Sequence, residues 1–171
     1  MEASASYWID TLKLTKHIEG GFYRQTYSAV DMIPRQALPS RFNGNRPAST
    51  AIYFLLESGQ FSALHRIAAD EVWHFYYGDG LLVYEIRPDG QLLEHKLGND
   101  AANGFSFQCV VKAGSWFGAI LQGGGNYALV GCTVAPGFDF DDFELADREG
   151  LCAVYPQHES LIHQLTRTNN R

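Results

Sequence analysis

Between Ser49 and Ala135 the chain is cut into short apolar runs by glycine-containing breaks, and nothing between the runs is long enough to be a crossover helix. The runs cover 50–57, 61–68, 71–77, 80–87, 91–97, 105–112, 115–121 and 127–135. The breaks fall at Gly59, Asp79-Gly80, Asp89-Gly90, Gly104, Gly114 and Gly123-Gly124-Gly125. Parallel strands need long crossovers, so strands at this spacing pair antiparallel and close into a sandwich or barrel. Asp89-Gly90 reads as a two-residue hairpin turn between two such runs. Gly123-Gly124-Gly125 has neither a following helix nor a Lys-Ser/Thr pair, which favours a turn over a phosphate cradle.

The flanks read differently. Residues 4–15 predict a short helix capped by Ser4 or Ser6, with Tyr7, Trp8, Thr11 and Leu12 on one face. Gly20-Gly21 ends that region, and from Phe22 the period becomes two. Phe22, Arg24 and Thr26 then fall on one side of a strand, and Tyr23, Gln25 and Tyr27 on the other. Residues 31–48, with Pro34, Pro39, Gly44 and Pro47, read as a long loop of the kind that covers a site. Pro156 opens a final helix with Leu161, Ile162 and Leu165 in its apolar stripe. With no linker or repeat, one domain over 1–171 is expected.

Composition excludes several classes of function. Hydrophobic residues make up 46% and charged residues 19% of the chain, an ordered globular balance. Thirteen basic against nineteen acidic residues give −6, and no Lys/Arg run occurs, so no nucleic-acid partner is expected. The apolar stretches at 51–56 and 127–135 fall well short of the about 20 residues that span a bilayer. Met1 to Ser6 lacks the basic and apolar regions of a secretory signal, so a cytoplasmic location is expected. Cys109, Cys132 and Cys152 form no CxxC pair and read as small buried hydrophobes.

The most informative segment runs from Gly59 through His65 and Glu71 to Gly78. It resembles the first motif of the cupin superfamily: Gly, five residues, His-x-His, three or four residues, Glu, six residues, Gly. Ile67 stands where that motif has its second His. Strand alternation puts Phe61, Ala63, His65 and Ile67 on one face, with Glu71 returning on the neighbouring strand to meet them. Lys112-Ala113-Gly114-Ser115-Trp116-Phe117 resembles the second motif, keeping Gly114 but placing Phe117 at the last His position. Only His65 and Glu71 remain of the four ligand positions, fewer than the three or four protein ligands that zinc sites use. No metal and no other cofactor is therefore expected, and His65 with Glu71 are the residues left to hold a metal if one bound.

Three further segments, Glu19 to Tyr23, Asp70 to Tyr76 and Val130 to Leu145, resemble the small cupin family long labelled a domain of unknown function, cupin 5. The resemblance spans 9–165. It implies an all-β fold, the double-stranded β-helix or cupin jelly-roll barrel, here with short N- and C-terminal helices. It also implies a homodimer, for which the strand from Phe22 to Tyr27 is a plausible edge. The implied overall shape is similar to that of the dTDP-sugar epimerases, although the family has no assigned reaction.

The candidate site residues each have two readings. His65 is a general base in a partly apolar cavity, or a core histidine satisfied by one hydrogen bond. Glu71 orients it, or pairs with Arg24, Arg66 or Arg87. His74 falls on the opposite face of the strand from Glu71 unless a bulge intervenes. Trp73, Phe75, Tyr77 and Phe117 fall together as barrel core or a ring-binding platform, and Arg24 and Tyr53 are further substrate-binding candidates. Tyr77 or Tyr53 is a proton donor. The aromatics of Phe138 to Phe143 pack down with the carboxylates of Asp139, Asp141, Asp142 and Glu144 toward water, or Asp139 or Asp141 instead reaches the cavity mouth. Taken together these predict a small-molecule ligand in the barrel. The reading is a metal-independent epimerase or isomerase of a sugar-like carbonyl compound; the alternative is a noncatalytic sensor or carrier.

Overall fold

The computed structural model describes residues 3–167. Helix α1 (Ala5–Leu12) begins at Ser4, whose hydroxyl accepts a hydrogen bond from the Tyr7 amide at 3.2 Å, and ends at Lys13 in the left-handed region. Four strands precede the glycine-punctuated region: β1 (Thr15–Lys16), β2 (Phe22–Ser28), β3 (Met32–Ile33) and β4 (Arg46–Pro47). The eight apolar runs become β5 (Thr50–Glu57), β6 (Phe61–Arg66), β7 (Asp70–Gly78), β8 (Leu81–Ile86), β9 (Leu92–Leu97), β10 (Gln108–Val111), β11 (Trp116–Leu121) and β12 (Tyr127–Ala135). A short β13 (Glu144–Leu145) precedes helices α2 (Arg148–Val154) and α3 (Glu159–Gln164).

The strands form a six-stranded sheet in the order β1-β2-β5-β12-β7-β10 and a five-stranded sheet in the order β13-β6-β11-β8-β9. Their inner faces bury the main core, in which Phe42, Phe54, Trp73 and Phe117 are almost wholly shielded from water. Each such side chain contributes about 1.5–3 kcal/mol through burial. The outer face of the five-stranded sheet carries Leu64, Ile86 and Trp116 against Leu151, Ile162 and Leu165 of the C-terminal segment. Helix α1 covers part of the other outer face over Leu55, Tyr127 and Leu129. Among the described residues no helix is long and apolar enough to cross a membrane.

Several local expectations change. The β8–β9 turn contains Pro88 as well as Asp89 and Gly90: Gly90 donates to the Arg87 carbonyl at 2.8 Å and takes the left-handed conformation, so the link is longer than a two-residue turn. The 31–48 stretch is not a bare loop, since β3 pairs with β4 and a 3₁₀ turn forms at Arg35–Ala37. The run at 105–112 shortens to Gln108–Val111. Helix α2 was absent from the sequence reading; Asp147 caps it, accepting from the Gly150 amide at 2.8 Å.

Three β-bulges matter more, because one extra residue exchanges the faces of everything beyond it. In β2 the bulge at Thr26 leaves Tyr23 and Gln25 opposite the inward Phe54 and Ile52, but turns Tyr27 outward with Ala51. In β6, His65 pairs with Phe117 and Ser62 with Ala119, which puts Ser62, rather than Phe61 and Ala63, on the face of His65. Phe61 instead joins the outer cluster with Leu64. Gly118 permits this bulge, since a Cβ there would lie 2.6 Å from the Ser62 carbonyl oxygen. In β7, Phe75 pairs with Val130 and Tyr77 with Leu129, so Tyr76 is the inserted residue and Tyr77 leaves the inward face held by Glu71, Trp73 and Phe75.

Candidate functional site

A cavity of about 430 Å³ opens between the two sheets beside β1 and β2. His65 and Glu71 lie in its lining together with His17, Glu19, Tyr23, Phe54, Ile67 and Cys132, and the segment Phe138 to Phe143 forms one wall.

The β6 bulge sets the state of His65. Its Nδ1 lies 2.7 Å from the Ala63 carbonyl oxygen, and a carbonyl only accepts, so Nδ1 carries hydrogen. Nε2 lies 3.1 Å from Oε2 of Glu19. A neutral imidazole with hydrogen on Nδ1 accepts at Nε2, so the pair is held together by one proton, on the Glu19 carboxyl or on the ring. Burial lowers the His65 pKa and raises that of Glu19 to about 6. The Ser62 hydroxyl donates to Glu19 Oε1 at 2.9 Å, and the Ala63 amide donates to the Glu19 carbonyl at 2.8 Å. One bulge therefore supplies a hydrogen-bond partner to both halves of the pair.

Two more titratable groups adjoin it. His17 Nδ1 accepts the Glu19 amide at 3.3 Å and lies 3.5 Å from Glu19 Oε2. Burial pushes the His17 pKa down. Glu71 is buried, and desolvation raises its pKa to about 7 despite the nearby His65, with Glu19 adding to the rise. The Cys132 thiol hydrogen-bonds to Glu71, and burial holds that thiol protonated. At neutral pH the floor thus holds an acceptor pair next to a carboxylic acid that still carries much of its proton.

The wall is fastened separately. Arg46, buried in β4, grips Asp142 with two bonds of 2.6 Å each, from Nε to Oδ2 and from Nη2 to Oδ1. Asp142 therefore does not face water as expected, because this pair ties its segment to β4. Asp139 caps the 3₁₀ turn Phe140–Asp142 by accepting from the Asp141 amide at 2.9 Å, and it borders the cavity. Phe138 and Phe143 pack inward, whereas Phe140 is 56% exposed at the edge.

Of the predicted site residues, Arg24, His65, Glu71 and Asp139 line the cavity. Trp73, Phe75 and Phe117 are core residues outside its lining, although the Phe117 ring supports His65 at 4.1 Å. Tyr77, turned by the β7 bulge, packs on Trp8 and Tyr127 beside a separate depression. Tyr53 sits on the outer face against Tyr76, 5.9 Å between rings. Arg24 pairs with Tyr53 in register, and its guanidinium lies 5.8 Å from that ring; it borders the cavity without reaching Glu71 in any ion pair. Arg66 pairs with Glu144, and Arg87 forms its ion pair with Glu85, so none of the three expected arginines serves Glu71. His74 faces outward between Thr133 and Gln108, at 3.0 Å from each.

Sequence reasoning missed Glu19, His17 and Ser62. The acid directly before Gly20-Gly21 was a usable signal, because a carboxylate ahead of a tight glycine turn is placed by backbone that few other residues adopt.

The residues at the resembled metal positions do not supply a full ligand set. Ile67 and Phe117 present buried hydrocarbon where cupin metal sites have histidines. Among the described residues no group of three or more His, Cys, Asp or Glu side chains is arranged to hold a metal ion.

Two antiparallel sheets closed around a His65-floored cavity define an all-β jelly-roll protein of the cupin type. The chain belongs to the Cupin_5 family of the cupin superfamily (DUF985), whose profile matches residues 6–146. It is similar to the crystal structure of protein SO0799 from Shewanella oneidensis, at 42% identity and a TM-score of 0.88 over 99% of this chain and 100% of that one. A hypothetical protein from Leishmania major is 32% identical, with a TM-score of 0.87 over 96% and 99% of the two chains. The uncharacterized protein YML079W of Saccharomyces cerevisiae is 30% identical over 151 residues, 82% of this chain and 74% of the yeast protein. None of the three names states an activity.

Proposed function

We propose that the protein is a metal-independent isomerase or epimerase of a small, sugar-like hydroxycarbonyl compound. The observation that carries this reading is the His65–Glu19 pair, joined by one proton and set beside the protonatable Glu71 in a cavity walled by Phe54, Phe138 and Phe143. With Glu19 ionised, His65 Nε2 is free to take the proton from the carbon next to the carbonyl. The C–H electron pair forms the carbon–carbon double bond of an enediol while Glu71 protonates the carbonyl oxygen. Return of the proton from His65 to the former carbonyl carbon, while the Glu71 carboxylate takes the hydroxyl proton on the first carbon, gives the isomer; protonation of the first carbon on its other face, with the enediol oxygen handing its proton back to Glu71, gives the epimer. The apolar walls limit water, which strengthens these charge–dipole contacts.

The opposing pKa values set the pH dependence. The base needs the Glu19–His65 pair to have lost its proton, which favours pH above about 6, and the acid needs Glu71 protonated, which favours pH below about 7. A narrow bell with its maximum between these values is expected.

The test is deuterium incorporation from D₂O into a panel of aldoses, ketoses and simple hydroxyketones, followed by proton NMR. Wild type should exchange the hydrogen next to the carbonyl, and His65→Gln and Glu71→Gln should each slow it roughly 10²–10⁴-fold. Exchange that persists in His65→Gln would remove the assignment. A compound that raises Tm and returns unexchanged would make the protein a carrier or sensor.

A further inference from the structure

The last described residue, Arg167, reaches back across the fold to the turn that carries Glu19. Its Nη1 donates to the Ile18 carbonyl at 3.0 Å and its Nη2 to the Glu19 carbonyl at 2.8 Å. The guanidinium lies over the Phe61 ring, 5.1 Å from its centre. The Glu19 carbonyl thus receives two donors, Arg167 from the C-terminal segment and the Ala63 amide from the β6 bulge. The same segment also fixes β6, since the Leu64 amide donates to the Leu165 carbonyl at 2.7 Å. Leu165 and Thr166 are buried, which anchors the base of the Arg167 side chain. Gly20 completes the fit: a Cβ at this left-handed position would strike both the Arg167 guanidinium and the Phe61 carbonyl.

We propose that Arg167 is a positioning residue, clamping the Glu19 backbone so that its carboxyl meets His65 Nε2. Arg167 lies outside the 6–146 span that the family profile matches, in the segment that follows α3. The clamp rests on the reading of Glu19–His65 as the working pair, yet it has a signature that needs no turnover. The guanidinium charge works with His17 and the Ser62 hydroxyl against the burial that raises the Glu19 pKa. His65 from β6, Glu71 from β7 and the Cys132 thiol from β12 are the other titratable groups around Glu19.

The experiment is a carboxyl-carbon NMR titration of Glu19, assigned by its loss in Glu19→Gln, in wild type, Arg167→Gln and Arg167→Lys. Arg167→Gln should make Glu19 about threefold less acidic, about half a unit above its midpoint near 6. Arg167→Lys keeps the charge and should recover most of that shift, while the His65 ring signals still differ from wild type because one ammonium does not bridge two carbonyls. Glu19 and His65 signals in Arg167→Gln that match wild type would overturn the clamp. If Arg167→Gln loses its fold by near-ultraviolet circular dichroism, the lysine variant decides, and wild-type His65 signals there would overturn it. Absence of deuterium exchange in the wild-type protein would instead defeat the proposed reaction and leave the clamp standing.

Discussion

Glu85 on β8 and Glu71 on β7 are both buried, and their surroundings do opposite things to them. Glu85 accepts from the Ser115 hydroxyl at 2.8 Å and the Lys112 amide at 3.1 Å, and it meets His95 Nε2 at 2.8 Å. Burial alone would raise its pKa, but the His95, Lys112 and Ser115 bonds outweigh it and the value falls. Glu71 faces a deprotonated imidazole, another carboxyl and a thiol, and its pKa rises to about 7. Glu85, built into the architecture, is given strong donors that outweigh its burial, whereas Glu71 has, among the described residues, only a thiol, which does not.

Three measurements sharpen this contrast. The largest effect belongs to Glu85→Ala, which strands the Ser115 hydroxyl and the Lys112 amide inside the barrel; we expect a loss of about 3–5 kcal/mol in urea unfolding at pH 7. Wild-type Glu85 binds its proton more weakly when folded than when unfolded. Its contribution is therefore present above its ordinary value of 4.5 and fades as the pH falls through its lower folded value.

Glu71 has the opposite sign. Folding raises its proton affinity, so its contribution is most favourable below 4.5 and is lost as the pH rises through about 7. Glu71→Gln should therefore gain roughly 1–3 kcal/mol over wild type at pH 8 while abolishing deuterium exchange, and should differ little at pH 4. Thermal unfolding across that range checks it; equal stability of the two proteins at pH 8 would show that Glu71 is not strained. The smallest effect is that of Ser62→Ala, about 1 kcal/mol of stability, with the Glu19 midpoint moving further above about 6 in a carboxyl titration.

The strands were legible because glycine breaks and period-two runs survive in a linear reading, and each of the eight runs became a strand. The bulges were not, since a single inserted residue leaves no mark in the hydrophobic pattern. That is why Tyr77 and Tyr27 were assigned to the wrong faces, and why Ser62 was passed over while Phe61 and Ala63 were placed beside His65. His65 and Glu71 were legible through motif spacing. Glu19 was not, because its role comes from Ser62, 43 residues away, and from Arg167, 148 residues away. Tertiary contacts of that kind have no local signature, and the Glu19-Gly20-Gly21 run marks only that the acid sits at a tight turn, not what it meets. The aromatic candidates failed for another reason: Trp73, Phe75 and Phe117 face inward as alternation says, but the core occupies more of the interior than the cavity does.

The Arg46–Asp142 bracket has a consequence for how such proteins diversify. It ties the wall from Phe138 to Phe143 to β4, while the acid–base floor hangs on β6, β7 and the turn before β2. Apart from Phe140 and Phe143, whose rings pack on His17 and, for Phe143, on His65, residues on the wall are therefore free to change shape without disturbing the floor, so long as the bracket holds. Relatives could alter the clientele of the cavity through this one segment and inherit the same chemistry beneath it.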